Sequence, residues 1–394
     1  MRPRMLLAVP ALVLLACTGA GNGGPASASP PHHSNSAAAV AYANWPTYHG
    51  NGLRTGNAPS MPTATGTPKV VARYNLDGQV FASPIIIGGT FIAVTENDTV
   101  YAIRLGKVLW KRHLGTPAQQ SQLPCGNVFP LGITGTPAYN KGLIYVAAEY
   151  SGNPPRHELA AIRMSNGTVA FRRSLDLAGV EQKAMQERGA LVVAGTRVWV
   201  PFGGLAGDCG GYKGRVVGIP LNGSGGAVAY TVPTQREAGI WTPPGPSWDG
   251  QSLYVSVGNG AATSGPWDHS DSILKISANA KLQQAFAPSN WPSENASDAD
   301  LGSQGPAIVG KWVFIDGKGG TAYVLNRANL GGVGRQVSST SLCRSFGGTA
   351  VIGPAVYVPC TDGLRKITID ASGHVHKVWQ AASNIIGPAV IGGG

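Results

Sequence analysis

The side chains best suited to binding or chemistry occur at one kind of place in this sequence, beside short apolar segments. They combine carboxylates, amides, cations and an indole, which can together hold a ligand by hydrogen bonds, ion pairs and stacking. The set comprises Gln186, Glu187, Arg188, Trp241, Asp300, Gln304, Lys318 and Arg344. Each has a structural alternative, which is solvation of an exposed rim, a contact within a turn or, for the indole, filling of a gap in the core. These side chains could act together only if secondary-structure elements brought distant parts of the chain close to one another.

Repeated units are the elements that could do this. A glycine-punctuated, strand-rich unit recurs about every 40 to 60 residues from Phe81 to the C-terminus, and a period in this range is typical of solenoids, propellers and other arrays. Each unit has a small residue, an apolar strand, a tight turn and a second apolar strand. The units begin at Ala82, Gly135, Arg188, Gly245, Gly305, Gly348 and Gly387. One unit cannot bury its apolar face alone, so neighbouring units must stack.

Two further strands follow in several units, which predicts an all-β propeller of four-stranded antiparallel blades. In the first unit they are Thr99–Arg104 and Lys107–Lys111. A β-sandwich is the alternative, but an aromatic residue late in each unit, such as Trp110, favours radial repetition. We expect seven or eight blades, with the last one incomplete in this chain. Lys69–Leu76 would then be the outer strand of a blade begun at Ile385, paired with strands that the sequence lacks.

The lengths of the connections predict which face of the ring binds. In a four-stranded blade, the first-to-second and third-to-fourth connections lie on one face, and the remaining connections lie on the other. The first set consists of tight turns such as Gly88–Gly89, whereas the second set contains Gly115–Ile133, Glu149–His157 and Pro288–Ser303. Long irregular loops on one rim of a rigid scaffold are a usual place for binding. We call the face that carries the second set the long-loop face.

Four cysteines follow Cys17, and all of them lie in or beside the long loops. An even number in an exported chain indicates two disulfides. Cys343 begins the sixth blade and Cys360 ends its second strand, so we expect these two to pair. Cys125 and Cys209 lie in long loops of nearby blades and would form the other bridge. Four cysteines allow three connectivities, of which this is one.

The N-terminus has the pattern of a secretion signal. Arg2 and Arg4 precede an apolar segment that is too short to span a bilayer. The segment ends in Leu-Leu-Ala-Cys at Cys17, which resembles the bacterial lipoprotein processing site, where the cysteine is lipidated. We therefore predict a signal peptide over residues 1–16, a flexible tether over 17–44 and a propeller over 45–394, anchored outside the cell membrane. The alternative is an ordinary signal peptide cut farther along, which would give a secreted protein.

The net charge of +11 is thinly spread, because only 12% of the residues are charged. The sequence has no run of five or more Lys and Arg residues and no nucleic-acid-binding motif. We interpret the charge as compatible with an anionic envelope surface and expect no nucleic-acid partner.

The repeats resemble the pyrroloquinoline-quinone (PQQ) type β-propeller superfamily. The segments that carry the resemblance are Ser83–Pro84, Val100–Arg104, Gly106–Trp110 and Trp45–Gly56. The superfamily includes quinoprotein alcohol dehydrogenases, polyvinyl-alcohol dehydrogenases, and lipoproteins that bind partner proteins and no quinone. The fold alone does not choose among these functions.

A second stretch is similar to the later blades of secreted quinoproteins. It comprises Trp267–Ser272, Asn290–Trp291, Asp298–Gly302 and Gly317–Asn326. For a dehydrogenase of that type, the resemblance implies Asp300 as the catalytic base and Glu187 as a ligand of the Ca²⁺ that polarises the quinone. The sequence departs from the family because it has neither an adjacent Cys-Cys pair to floor the quinone nor a haem attachment motif.

Two functions are consistent with these observations. The first is a non-enzymatic, cell-envelope propeller lipoprotein that binds a protein or glycan partner on its long-loop face and needs no cofactor. The alternative is a dehydrogenase that uses PQQ and calcium to oxidise an alcohol, polyol or sugar. A dehydrogenase needs a flat aromatic surface, a metal site and a base in one place, so the arrangement of the polar side chains discriminates between the two.

We predict that Cys17 is the lipid attachment point and the first residue of the mature protein. Mass spectrometry of the mature N-terminus should show a diacylglycerol-modified cysteine. An unmodified chain that starts downstream of Cys17 would contradict this prediction.

Overall fold

A computed structural model describes residues 4–8, 44–63, 66–67, 69–383 and 387–393 of the chain. Cys17 and nearly all of the predicted tether lie outside the described residues, as does the signal peptide apart from Arg4–Ala8. The signal, lipidation and tether therefore stay predictions. None of the helices in the described part is long and apolar enough to cross a membrane.

Six antiparallel sheets with four consecutive strands each form most of the described chain, one for each of the first six repeat units. This confirms the predicted multi-bladed propeller. We number the sheets blades 1 to 6. The strands of blades 1 to 3 are Ile85–Ile87, Thr90–Val94, Thr99–Arg104 and Lys107–His113; Ala138–Asn140, Leu143–Tyr150, Arg156–Arg163 and Val169–Ser174; and Val192–Ala194, Arg197–Gly204, Arg215–Pro220 and Val228–Thr231. The strands of blades 4 to 6 are Ser247–Trp248, Ser252–Val257, Ser272–Ser277 and Leu282–Ala287; Ala307–Val309, Trp312–Ile315, Thr321–Asn326 and Ser338–Ser341; and Ala350–Ile352, Ala355–Cys360, Gly363–Ile369 and Val375–Ala382.

The remaining elements are short and lie mostly in the connections. Met185–Gln186 adds a strand to blade 3, and Gly332–Val333 pairs in parallel with the outer strand of blade 4. The described residues contain one α-helix, Trp291–Ser297, which lies in the long connection between blades 4 and 5. The 3₁₀ helices are Tyr48–Gly50, Gln120–Gln122, Gln182–Ala184 and Leu301–Ser303.

The hydrophobic core lies between neighbouring blades. Second strands such as Leu143–Tyr150 are buried along nearly their whole length, because a neighbouring blade covers each face. The cluster between blades 1 and 2 contains Ile92, Val146 and Ile162, all fully buried. Outer strands such as Val375–Ala382 are mostly exposed. Runs of Val and Ile in the inner strands, with polar residues outside, thus follow from stacking of the blades.

The N-terminal strand pairs differently from our expectation. Val70–Asn75, within the predicted outer strand Lys69–Leu76, pairs antiparallel with Arg4–Ala8, whereas Ile385, where the expected partner blade begins, lies outside the described residues. Ile391–Gly392, near the end of the seventh unit, pairs in parallel with residues 57–58. A free strand edge takes a partner that the chain offers, which explains the difference. Arg4–Ala8 belongs to the predicted signal peptide, and its removal would free this edge again.

An N-terminal segment, Trp45–Ala58, connects the inner strands of four blades, and we call it the axial segment. Trp45 and Ile86 exchange two backbone hydrogen bonds in blade 1, and Tyr139 of blade 2 donates to Pro46. The amides of Trp248 in blade 4 and Val351 in blade 6 donate to carbonyls of the same segment. Because first strands line the centre of a propeller, the axial segment holds the blades together at the axis.

Arg54 is the buried charge of the axial segment, with only 4% of its surface exposed. Its Nε donates to the Pro246 carbonyl at 3.1 Å, ahead of blade 4. Its Nη2 donates to the Leu191 carbonyl at 2.9 Å, ahead of blade 3. Further bonds reach the Ala190 carbonyl and, within the segment, Thr47 Oγ1 and the Tyr48 carbonyl. The guanidinium is thus solvated by neutral oxygens of three parts of the chain.

A ring of buried acids forms where the second strands of blades 1 and 2 end. Glu96, Asp98 and Glu149 have at most 3% of their surfaces exposed. Glu96 accepts a hydrogen bond from the amide of Gly132 at 2.8 Å. Burial raises the pKa of Glu96 to about 7. Burial, together with repulsion from Glu96 and Glu149, raises the pKa of Asp98 to about 9. These carboxyl groups therefore keep their protons at pH values well above those at which carboxyl groups usually ionise.

His157 provides the positive charge beside these acids. Its Nδ1 lies 2.8 Å from Asp176 Oδ1, and its Nε2 lies 3.3 Å from Glu149 Oε2. Burial alone would lower the pKa of His157, but the two carboxylates outweigh it and raise the pKa to about 10. The imidazolium therefore stays charged at neutral pH and links the second and third strands of blade 2 to Asp176.

Replacing Arg54 by Met should destabilise the protein by about 3 kcal/mol or more, because several buried carbonyls would lose a charged donor. Thermal unfolding should show this as a lower melting temperature. Arg104→Met, at an exposed position of blade 1, is the matched control and should leave the melting temperature nearly unchanged. Equal effects of the two substitutions would refute a central role for Arg54.

The stability should fall between pH 5 and pH 9. A carboxyl whose pKa is raised on folding stabilises the fold below its unfolded pKa of about 4 and loses that contribution as the pH rises through its folded pKa. For Glu96 and Asp98 the folded values are about 7 and about 9. Asp98→Asn resembles the protonated carboxyl, so the melting temperature of this variant should vary less with pH. Asp362→Asn, at an exposed acid, is the control, and an unchanged pH dependence in Asp98→Asn would contradict the argument.

Candidate functional site

Four of the eight predicted side chains meet on the long-loop face. They come from separate connections and are brought together by the side-by-side packing of blades 3 to 5. Arg188 directly precedes blade 3, Trp241 lies between blades 3 and 4, Asp300 lies between blades 4 and 5, and Lys318 lies between the second and third strands of blade 5. We call these four residues the central group.

Trp241 is the platform of the central group. The guanidinium carbon of Arg188 lies 4.5 Å from the centre of its ring, and Lys318 Nζ lies 5.8 Å away. A methyl group at Gly258 would lie 2.6 Å from Trp241 Nε1 and 2.7 Å from Asp300 Oδ1. Only glycine therefore lets the indole and the carboxylate approach this strand end together.

Asp300 and Lys318 form the buried ion pair of the group. Asp300 is 1% exposed, and its Oδ1 accepts a hydrogen bond from the Asn259 amide at 2.6 Å. Its Oδ2 contacts Lys318 Nζ, which also lies 2.7 Å from Asp298 Oδ1. Burial raises the pKa of Asp300, and Lys318 opposes that rise. Asp300 thus does not cap its own turn with its side chain, whereas Asp298 ends the α-helix with a left-handed backbone, φ 51°.

Arg188 has a buried donor without a partner. Its Nε is inaccessible and makes no hydrogen bond to any described residue, although part of the residue reaches the surface. Burial lowers the pKa of Arg188, and the nearby groups of Tyr212, Asp208 and Asp300 oppose that change. Because part of the guanidinium reaches the surface and its charge has no ion pair among the described residues, it can donate hydrogen bonds to an oxyanion that comes from outside.

Glu187 lies outside the central group. Its carboxylate packs against Gly135 ahead of blade 2, where a methyl group would lie 2.2 Å from its Oε1. Both of its oxygens are buried without a hydrogen-bond partner among the described residues. Burial, with the charge of Glu96 next in importance, raises its pKa well above the usual range. Glu187 therefore belongs with the buried acids of blades 1 and 2.

The other predicted residues also lie apart. Gln304 is fully buried and connects blades, because its Nε2 donates to Ser345 Oγ at 2.7 Å and its Oε1 accepts from the Asp316 amide at 3.1 Å. Gln186 is 2% exposed in the short strand beside blade 3, and Arg344 is exposed. Gln304 is thus a structural residue, and only Arg344 of these three is open to a ligand.

The central group matches the part of a quinoprotein site that holds the quinone and its base, and does not match the part that holds the metal ion. An indole platform, a buried carboxylate and a lysine are together, as a quinone and its base would require. However, Glu187 faces Gly135 and not Asp300, and the described residues contain no cluster of three or more His, Cys, Asp or Glu side chains arranged to hold a metal ion. The cation of Arg188 also covers one face of the indole. The indole, Asp300 and Lys318 thus match the quinone part of such a site, whereas Glu187, packed on Gly135, does not match the metal part.

Two disulfides brace the loops of this face, in the pairing that we predicted. Cys125–Cys209 joins the connection ahead of blade 2 to the loop between the second and third strands of blade 3. Cys343–Cys360 joins the start of blade 6 to the end of its second strand. The first bridge spans 84 residues of sequence and links loops of two blades, whereas the second spans 17 and closes the entry of one blade.

Sequence reasoning missed the buried acids and the glycine that supports the platform. A signal for the acids was present, because Glu96, Glu149 and Asp316 all lie at or just after the end of a second strand. For Gly258 there was no distinct signal, since glycine is common in every connection of this chain.

Comparison with known proteins identifies the fold. No protein-family profile matches the chain, and no curated protein matches its sequence. Among solved structures, a europium-containing methanol dehydrogenase superposes with a TM-score of 0.66 at 14% identity, covering 87% of this chain and 79% of that one.

Two further solved structures superpose with lower TM-scores. The quinohemoprotein alcohol dehydrogenase from Comamonas testosteroni gives a TM-score of 0.58 at 18% identity, with 84% of this chain and 60% of that one covered. This chain thus spans less than two thirds of that enzyme. BamB from Moraxella catarrhalis gives 0.50 at 14% identity, covering 77% and 76%. At these identities the likeness establishes the fold alone: the chain is a multi-bladed β-propeller, like these solved structures.

Proposed function

We propose that this protein is a non-enzymatic binding propeller of the cell envelope, which takes an acidic group of a protein or glycan partner at the central group of its long-loop face. The observation that carries the proposal is the buried Arg188 Nε without a partner, beside Trp241. An unsatisfied charged donor in a native site calls for an acceptor that the protein itself does not supply.

The surroundings of Arg188 support binding of an anion. Lys318 adds a second cation on the same indole, and both Asp298 and Asp300 pair with this lysine. Arg188 is therefore the cation of the central group that has no ion pair with a described residue. The indole offers apolar area at the edge of the site, which excludes water from a bound carboxylate and strengthens its pairing. The long loops and their two disulfides would surround such a ligand with adaptable contacts on a fixed frame.

A dehydrogenase is the second candidate, and one observation favours it. Asp300 is buried, next to a lysine and at the edge of an indole, which is a suitable setting for a general base. The place of Glu187 disfavours it, because a carboxylate that packs on Gly135 is not beside Asp300. We therefore rank binding ahead of oxidation.

The first test is titration of the protein with hexaglutamate, followed by tryptophan fluorescence. Arg188→Gln should weaken binding about tenfold, the size of one lost charged hydrogen bond. Arg163→Gln removes an exposed arginine beside the third-to-fourth turn of blade 2, on the opposite face, and is the matched control. Binding that is absent, or that both variants weaken equally, would contradict the proposal.

The enzymatic alternative has its own measurement. PQQ and Ca²⁺ are added to the purified protein, and dye reduction is followed with alcohols, polyols and sugars. Turnover that is lost in Asp300→Asn would establish the dehydrogenase and replace the binding role. We expect no turnover.

A further inference from the structure

A second site lies between blades 1 and 2, on the rim of the long-loop face. It is an open cleft of about 380 Å³, which we call the rim cleft. One wall is the connection that leaves blade 1, and the other is the second-to-third loop of blade 2 with the strands beside it. The side chains used below are Thr116, Tyr150, Ser151, Arg156, Glu158 and Arg172. The volume is at the lower end of the range for small-molecule sites.

The floor of the rim cleft is rigid. The backbone at Gly115 lies against the ring of Tyr150, where a methyl group would be 2.8 Å from two ring carbons. Arg172 fixes the two blades, because its Nη2 donates to the Leu114 carbonyl of blade 1 at 2.7 Å and its Nη1 donates to Tyr150 Oη at 2.9 Å. The position of this guanidinium is thus set before any ligand arrives.

The rim cleft has more donors than the protein uses. Arg172 has five N–H groups, and among the described residues only Leu114, Tyr150 and, at 3.4 Å, Glu158 accept from them. Arg156 is 61% exposed, and its one ion pair within the described part of the chain is a contact of 3.5 Å with Glu158. Two guanidinium groups therefore share one carboxylate, which leaves net positive charge facing the cleft.

The rest of the lining selects more than a bare anion. Glu158 lies between the two arginines and would repel an inorganic anion that filled the cleft, whereas it can accept hydrogen bonds from hydroxyl groups. Ser151 and Thr116 add hydroxyl groups that both donate and accept. A ligand that satisfies all of these groups carries an oxyanion and several hydroxyls on one compact frame.

We infer that the rim cleft binds an anionic sugar, with the oxyanion on Arg156 and Arg172 and the ring hydroxyls on Glu158, Ser151 and Thr116. The site goes beyond the proposed function, because its residues are separate from the central group. The oxyanion can be a carboxylate, as in a uronic acid, or a phosphate, as in a sugar phosphate.

Isothermal titration calorimetry with glucuronate and glucose 6-phosphate tests the inference and tells the two oxyanions apart. We expect at least one of them to bind, and glucose and acetate to bind at least tenfold more weakly. Arg156→Gln should weaken binding of the anionic sugar at least tenfold. Arg163→Gln, an exposed arginine at the other end of the same strand, should leave it unchanged.

Other outcomes overturn the inference. Absence of heat with both anionic sugars, equal affinity for acetate or glucose, or equal binding by Arg156→Gln and the wild-type protein would each do so. Arg188→Gln separates this site from the central group, because it should leave sugar binding intact. Loss of hexaglutamate binding alone would concern the proposed function only.

Discussion

The burial of one guanidinium at the centre of the ring is the constraint on which the rest of the structure depends. Arg54 is withdrawn from water without a carboxylate partner, so carbonyl oxygens from the strands of different blades must converge on it. Such convergence is possible only when the inner strands of those blades surround the axial segment. Hydrophobic stacking alone would give several arrangements of such similar repeats nearly the same free energy. The buried charge thereby favours one of these arrangements.

The same arrangement accounts for the functional face. The axial segment is bound to the inner strands of the blades and fills the space between them. Residues from connections far apart in sequence can therefore meet only where the long loops converge. Arg188, Trp241 and Lys318 do so, and Gly258 provides the space at the end of a strand. Their side chains contact each other across blade boundaries, so the site exists only in the assembled ring. The rim cleft is likewise formed by residues of two neighbouring blades, because Arg172 of blade 2 binds the end of blade 1.

Much of the fold and half of the site could be predicted from the sequence. Repeat spacing predicted the blades, and loop lengths predicted the face on which Arg188, Trp241, Asp300 and Lys318 meet. Position in sequence could not distinguish a side chain that faces the axis from one that turns into a blade boundary. Glu187 and Arg188 are adjacent yet point to different sites, because Gly135 leaves room for the carboxylate on one side only. The pairing of Val70–Asn75 was equally out of reach, since a strand edge accepts any suitable partner.

The most direct measurement is a crystal structure of the protein with bound hexaglutamate. The account predicts a ligand carboxylate within hydrogen-bond distance of the Arg188 guanidinium, beside the indole of Trp241 and near Lys318, with the axial segment unchanged. A ligand bound elsewhere, or an Arg188 Nε that already donates to a group of the protein itself, would contradict it.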